Sequence, residues 1–247
     1  PQPVRARSVV AGLFVALSMP PWGWWPLAFI GIALFHRTSH RCSSRRSAFI
    51  AGSLFGFAWY MPATAWMWFI SAPGWPIACL VLAALHGGAE ALTWGLDGQR
   101  NLKPLAHTLV EALRFSWPFG GIPLASLAIS QASGPFAAIV RIGGAIALTW
   151  FVWQIAAFLA ERKRHVVTMV LVASVALAIA PTGQLADGQP VVRIALVQGG
   201  GPQGTRAINT SARTVHLRHL NVSRRITTSD KVDIVVWPEN IVDAKLF

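Results

Sequence analysis

The side chains able to do chemistry in this 247-residue chain are few and far apart. Val232–Trp237 reads as a β-strand, and Trp237-Pro238-Glu239-Asn240 follows at once. A carboxylate just past a buried strand of an α/β sheet sits where active sites form, outside the carboxyl ends of the strands. Burial there raises a glutamate toward the pKa that a general base needs. Spacing alone leaves open a loop glutamate that caps the next element. Glu111 and Arg114 lie at i and i+3 inside an apolar stretch. A lone charge costs about 2.5–3.5 kcal/mol there, so the spacing predicts an ion pair near the cytoplasmic end, with a lipid-headgroup contact as the functional alternative. Glu90 has His86 four residues earlier as its expected partner.

The remaining reactive types carry less. Cys42 falls in a basic loop expected to face the cytoplasm and Cys79 in an apolar run. A catalytic thiolate needs a base and an accessible electropositive setting, so both read as inert. His216 and His219 share a helical spacing, but no carboxylate or cysteine joins them, and a solvated face is the expectation. Gly199-Gly200-Gly201 lacks the spacing of a phosphate loop, and Asn209-Thr210-Ser211 and Asn221-Val222-Ser223 match a glycosylation pattern that is common by chance.

The elements that must position these residues are mostly apolar. Hydrophobic residues make up 54% and charged residues 12%, with twelve Trp, thirteen Phe and a mean hydropathy of +0.50. Soluble domains carry roughly 25% charged residues, and disorder needs high charge with low hydrophobicity. Two cysteines make no disulfide scaffold. The composition therefore predicts a multi-pass membrane protein. The net charge of +12 would suggest nucleic acid in a soluble chain, but here the placement of the charges matters more, and nucleic acid is not an expected partner.

Seven helical spans are expected, near Arg7–Ser18, Trp22–Phe35, Ala48–Ile70, Trp75–Leu96, Leu105–Ser130, Phe136–Ala160 and His165–Ala180. Arg5, Arg7, Arg37, Arg41, Arg45, Arg46, Arg100, Lys103 and Arg162-Lys163-Arg164 fall on one side, while Met19–Pro21, Ser71–Gly74 and Gln131–Pro135 carry no Lys or Arg. The positive-inside rule then puts the N-terminus in the cytoplasm and everything after Pro181 outside. Gly52-x-x-x-Gly56 is expected to be a close helix contact, and Trp22, Trp24, Trp25 and Trp75 an aromatic belt at the outer face. Beyond Pro181, Val191–Gln198 reads as a buried strand, 207–226 as an amphipathic helix and Val232–Trp237 as a second strand, the start of a βαβ unit. The expected domains are 1–181, helical and membrane-embedded, and 182–247, the beginning of an α/β domain.

Val-Val-Trp-Pro-Glu-Asn at 235–240, with Val-Arg-Ile-Ala-Leu-Val-Gln-Gly at 192–199 and Pro202-Gln203 before it, resembles the start of the nitrilase-like domain of apolipoprotein N-acyltransferases. Pro20-Pro21 with Trp25-Pro26-Leu27-Ala28, the run from Gly52 to Trp68, Glu111-Ala-Leu-Arg114 with 118–123, 131–135 and Gly143-Gly144 are similar to the family's membrane part, in order. The element at 118–121 is similar to actinobacterial members.

The resemblance implies a bacterial inner-membrane enzyme of lipoprotein maturation. It implies a phospholipid acyl donor, an apolipoprotein acceptor, no metal or organic cofactor, and a Glu, Lys and Cys triad that works through an acyl-thioester. Glu239 matches the family's general base. The family's Lys and Cys lie downstream of that glutamate and are absent here. Lys231, Lys245, Cys42 and Cys79 are at the wrong places to replace them. With its opening Pro1 and its end at Phe247, the chain reads as an N-terminal fragment, inactive as it stands. A non-catalytic membrane anchor for a polyprenol-phosphate mannose synthase, with which some actinobacterial relatives associate, is the alternative, and a transporter is a third reading.

Overall fold

Prolines, glycines and hydroxyl caps decide where the apolar runs start and stop as helices. The computed structural model describes residues 2–96, 102–117, 120–162, 166, 168, 170, 191–201 and 212–238. Helices α1 (Gln2–Leu17), α2 (Pro26–Ser39), α3 (Arg45–Ala63), α4 (Gly74–Thr93), α5 (Leu102–Arg114) and α6 (Val140–Ala160) follow one another. Pro26 opens α2, where its missing N–H leaves nothing unpaired, so this helix starts and ends about a turn later than the apolar run alone predicts. Helix α1 starts earlier than expected and carries Arg5 and Arg7 on its exposed surface. Ser44 caps α3 by accepting the Ser47 N–H at 3.2 Å. Helix α3 stops just beyond Pro62, where the Thr64 hydroxyl donates to the Tyr60 carbonyl at 2.7 Å. Ala65–Phe69 is a separate 3-10 turn, so the third helix is shorter than the expected Ala48–Ile70.

The largest departure is in the fifth span. Leu105–Ser130 was the expectation, yet α5 ends at Arg114. The backbone then turns back, and the Ile122 N–H donates to the Arg114 carbonyl at 2.6 Å. Gly121 makes this turn at φ +117°, a conformation that side chains oppose, and a Cβ there would lie 2.6 Å from the Phe115 carbonyl carbon. Short 3-10 turns at Ile129–Gln131 and Pro135–Ile139 lead into α6, which is interrupted at Gly143 and Gly144. Gly74–Thr93 and Pro135–Ala160 are long and apolar enough to cross a membrane. The seventh expected span falls, apart from residues 166, 168 and 170, outside the described residues.

The chain divides into two compact units, Pro1–Ala65 with Pro73–Ala180, and Trp66–Ala72 with Pro181–Phe247. In the second, β1 (Ile194–Leu196) and β2 (Ile234–Val236) pair in parallel, Ile194 opposite Ile234 and Leu196 opposite Val236. Between them runs α7 (Ala212–Ser223). This is the expected βαβ order, but the strands are largely exposed rather than buried. Two short strands with one short helix cannot cover both faces of a sheet. Before β2, Thr227 and Asp230 form a reciprocal cap, and the Thr227 backbone N–H and then its hydroxyl hold the Asp230 carboxyl below the usual carboxylate range.

The first unit is built around the crossing of α3 and α4. A Cβ on Gly52 would lie 2.6 Å from the His86 carbonyl oxygen, and one on Gly56 2.9 Å from Ala83 Cα. A Cβ on Gly87 would lie 2.7 Å from the Phe49 carbonyl oxygen, so small residues on both helices let the backbones touch, as Gly52-x-x-x-Gly56 predicts. Phe35 stacks on Phe55 at 4.1 Å nearby, and Arg37 caps α6 by donating from Nε to the Ala160 carbonyl at 2.8 Å. Gly52→Ala is expected to lower stability by about 1–3 kcal/mol through forced separation of the helices. Gly88→Ala, where an added Cβ meets nothing within 4 Å, should be neutral or stabilising. Thermal unfolding of both variants in detergent checks this, and equal losses would refute the contact.

Candidate functional site

In the second unit the chain leaves β2 at its carboxyl end through Trp237 and Pro238, beside the carboxyl end of β1, where the Val197 N–H donates to the Val236 carbonyl at 2.9 Å. Trp237 Nε1 donates to Ser223 Oγ at 2.9 Å, and its ring lies against His216 and His219. His219 is therefore not on a solvated face. It is 1% exposed, with Nδ1 2.8 Å from the Val215 carbonyl oxygen and Nε2 3.5 Å from Gln198 Oε1. Gly199 lets α7 lie close on the end of β1, since a Cβ there would be 2.6 Å from the His219 nitrogen. Glu239 itself lies outside the described residues.

Cys42 is buried, and burial pushes its thiol up, away from thiolate chemistry; its carbonyl accepts the Trp94 indole N–H at 3.0 Å. Cys79 is also buried, 3.4 Å from Thr64 Oγ1. Trp22 and Trp24 are exposed as a belt requires, but Trp25 packs edge-on against Phe136 and Trp75 donates to Thr64 Oγ1 at 3.1 Å. Among the described residues, no group of three or more His, Cys, Asp or Glu side chains is placed to hold a metal ion.

The densest polar chemistry lies inside the first unit, as one buried hydrogen-bonded chain from the end of α2 through α3, α4 and α5. Lys103 Nζ donates to Ser39 Oγ at 2.8 Å and to Glu90 Oε2 at 3.2 Å. Glu90 Oε1 is 3.0 Å from His107 Nε2, and the Nδ1 atoms of His107 and His86 are 2.8 Å apart. His86 Nε2 meets the Tyr60 hydroxyl at 2.7 Å, which accepts from Arg114 Nη1 at 2.7 Å. Arg114 pairs with Glu111 and donates to the Leu124 and Ile122 carbonyls, and the second Glu111 oxygen accepts the Leu127 N–H at 3.0 Å. One assignment of protons satisfies every link. Arg114 donates to Tyr60, Tyr60 to His86, His86 to His107, and His107 to Glu90.

The ion pair read from Glu111 and Arg114 is present, but at the end of α5 away from Lys103 rather than near the basic loop. Glu90 pairs with Lys103 and His107, not with His86, because α5 brings both groups to it across the helix contact. Sequence reasoning missed Tyr60, Lys103 and His107 as members. The signal for Lys103 and His107 was the stripe Lys103, His107, Glu111 and Arg114 at i, i+4, i+8 and i+11 on α5; Tyr60, on α3, had none. That stripe is buried, whereas Leu105, Leu109 and Leu113 are 44%, 58% and 44% exposed. Removing Arg114 by substitution with Leu leaves Glu111 buried and uncompensated, a loss of about 3–5 kcal/mol. Arg114→Leu with Glu111→Leu should be more stable than Arg114→Leu alone. Chemical or thermal unfolding of the pair checks it, and additive losses would rule the coupling out.

The family model for the apolipoprotein N-acyltransferase N-terminal domain matches residues 11–158. Proteins named apolipoprotein N-acyltransferase are similar along nearly the whole chain. The one from Azotobacter vinelandii is 28% identical, covering 97% of this chain and 51% of its own length. That of Shewanella oneidensis is 29% identical, covering 95% and 49%. That of Mycolicibacterium smegmatis is 27% identical, covering 96% and 46%. The chain spans about half the length of the curated relatives it matches. With a helical unit aligned to the family's N-terminal domain, the chain belongs to the apolipoprotein N-acyltransferase family.

Proposed function

We propose that this chain forms the membrane part and the opening of the catalytic domain of an enzyme that transfers an acyl group from a phospholipid to the α-amino group of the diacylglyceryl-cysteine of apolipoproteins. The observation that carries this is the family match over 11–158, followed in the same chain by a parallel βαβ unit that runs into Trp237-Pro238-Glu239. In this reading residues 1–181 are the membrane domain with seven spans, and 182–247 begin a nitrilase-like domain outside the bacterial inner membrane. The one-sided distribution of Lys and Arg supports that orientation. The apolar, exposed side of α5 opposite its buried polar stripe supports a lipid surrounding for a helix too short and polar for a hydropathy criterion.

Glu239 is the general base of the reading. It takes the proton of the nucleophilic cysteine thiol, which attacks the phospholipid ester, and returns that proton to the oxygen of the departing lysophospholipid. Ionised again, it takes a proton from the incoming amine, which attacks the thioester carbonyl to form the amide, and passes that proton to the cysteine thiolate as the C–S bond breaks. A lysine donor stabilises the oxyanion of each tetrahedral intermediate. In a protein of the relatives' full length that carries this segment, Glu239→Gln is expected to slow thioester formation by about 10²–10⁴-fold with insertion unchanged. A single-turnover assay with phospholipid donor reads this, and near-normal thioester accumulation would remove Glu239 from the role. A cysteine introduced at Gly188 should be labelled from outside intact cells; protection there would overturn the orientation.

A further inference from the structure

The first turns of α1 and α3 border an open surface cavity of about 340 Å³ that plays no part in the reading above. Arg5 of α1 and Arg46 of α3, both exposed, line it, so cations from two helices border one cavity. Neither has a carboxylate partner among the described residues. Ser43, Ser44 and Ser47 add polar lining, and the Ser47 N–H is already taken by the Ser44 hydroxyl at 3.2 Å. The rest of the wall is apolar, supplied by Ile50 and by Val4. From Ile50 the half-buried Leu54 and Phe57 continue along α3 at i+4 and i+7, a track of about 10 Å at 1.5 Å per residue.

Two cations with added hydroxyls suit the oxygens of a phosphodiester in a headgroup that carries no cation of its own to compete for them. The apolar track beside them suits a hydrocarbon tail rather than a free ion. The cavity is too small for a polymer but takes one headgroup. We infer that this cavity binds the phosphate of an anionic phospholipid, with an acyl chain laid along Ile50, Leu54 and Phe57.

The test uses the full chain in detergent with phosphatidylglycerol and phosphatidylcholine of identical acyl chains, read by native mass spectrometry. The unaltered chain should retain phosphatidylglycerol in preference to phosphatidylcholine. Arg5→Gln with Arg46→Gln should reduce that preference by about tenfold to thirtyfold, since each cation beside an anionic lipid contributes roughly fivefold. Arg7→Gln with Arg41→Gln removes the same charge outside the cavity and should leave the preference intact. An equal loss in that control, or no preference in the unaltered chain, would overturn the site in favour of bulk surface charge. Inorganic phosphate and glycerol phosphate supply the head without the tail. Displacement of the lipid by either in millimolar amounts would overturn the lipid assignment and give the cavity to a free phosphate. The single variant Arg46→Gln carries the same test if the double variant fails to insert.

Discussion

A guanidinium buried in an apolar bundle sets the terms for much of the first unit. Arg114 is 1% exposed, and its charge can be held there only if opposite charge and oxygen acceptors surround it. Glu111 one turn earlier supplies the charge, Tyr60 one acceptor, and the carbonyls of Ile122 and Leu124 two more, leaving only Nε without a hydrogen-bond partner among the described residues. Those carbonyls are available because the chain abandons the helix after Arg114 and folds back through Gly121. The same return brings the Leu127 N–H to Glu111. A continuous fifth helix would have tied these carbonyls and this N–H into its own ladder and left the ion pair short of partners.

The close approach of α3 and α4 serves the same end. Tyr60 and His86 sit on different helices, and a 2.7 Å bond between them requires backbones nearer than Leu or Phe at positions 52 and 56 would allow. The glycine contact and the polar chain are therefore one arrangement seen from two sides. Aromatic rings complete it, with Trp153 stacked on His107 at 4.1 Å and Trp59 within 5.3 Å of His86, so the imidazoles lie in an apolar sleeve open only to each other and their bonded partners.

Apolar runs between basic or Pro/Gly-rich breaks located the helices, and the small-residue motif located one true contact, because both depend on residues near in sequence. The end of the fifth helix was not legible, since it depends on what Arg114 needs from residues 122–127. Tyr60, Lys103 and His107 escaped notice because their partners lie on other helices, and a polar residue on a helix reads as surface until burial is known. The stripe on α5 was regular enough to see, but its sign is inverted, with charge inside and leucine outside. His219 was misread for a related reason. Its environment is made by Trp237 and Gln198, which only the return of the parallel strand brings near. The second strand and its end at Trp237-Pro238 were legible because a short β-branched run followed by Pro is a local signal.

In the proposed reading, structural and reactive polarity fall in different units. In the first, His86, His107, Glu90, Glu111 and Tyr60 each have a partner within the chain of bonds, so a proton taken from a substrate would break a link on which a buried charge depends. Such groups hold helices together and make poor catalysts. A general base needs a carboxylate whose proton can come and go without unfolding its surroundings. The end of β2 meets that condition: its position is set by backbone pairing to β1 and by Trp237 bound to Ser223, neither of which changes when a neighbouring carboxyl titrates. That separation is the physical reason the proposed reading gives the base to Glu239 rather than to the more numerous ionisable groups of the helical unit.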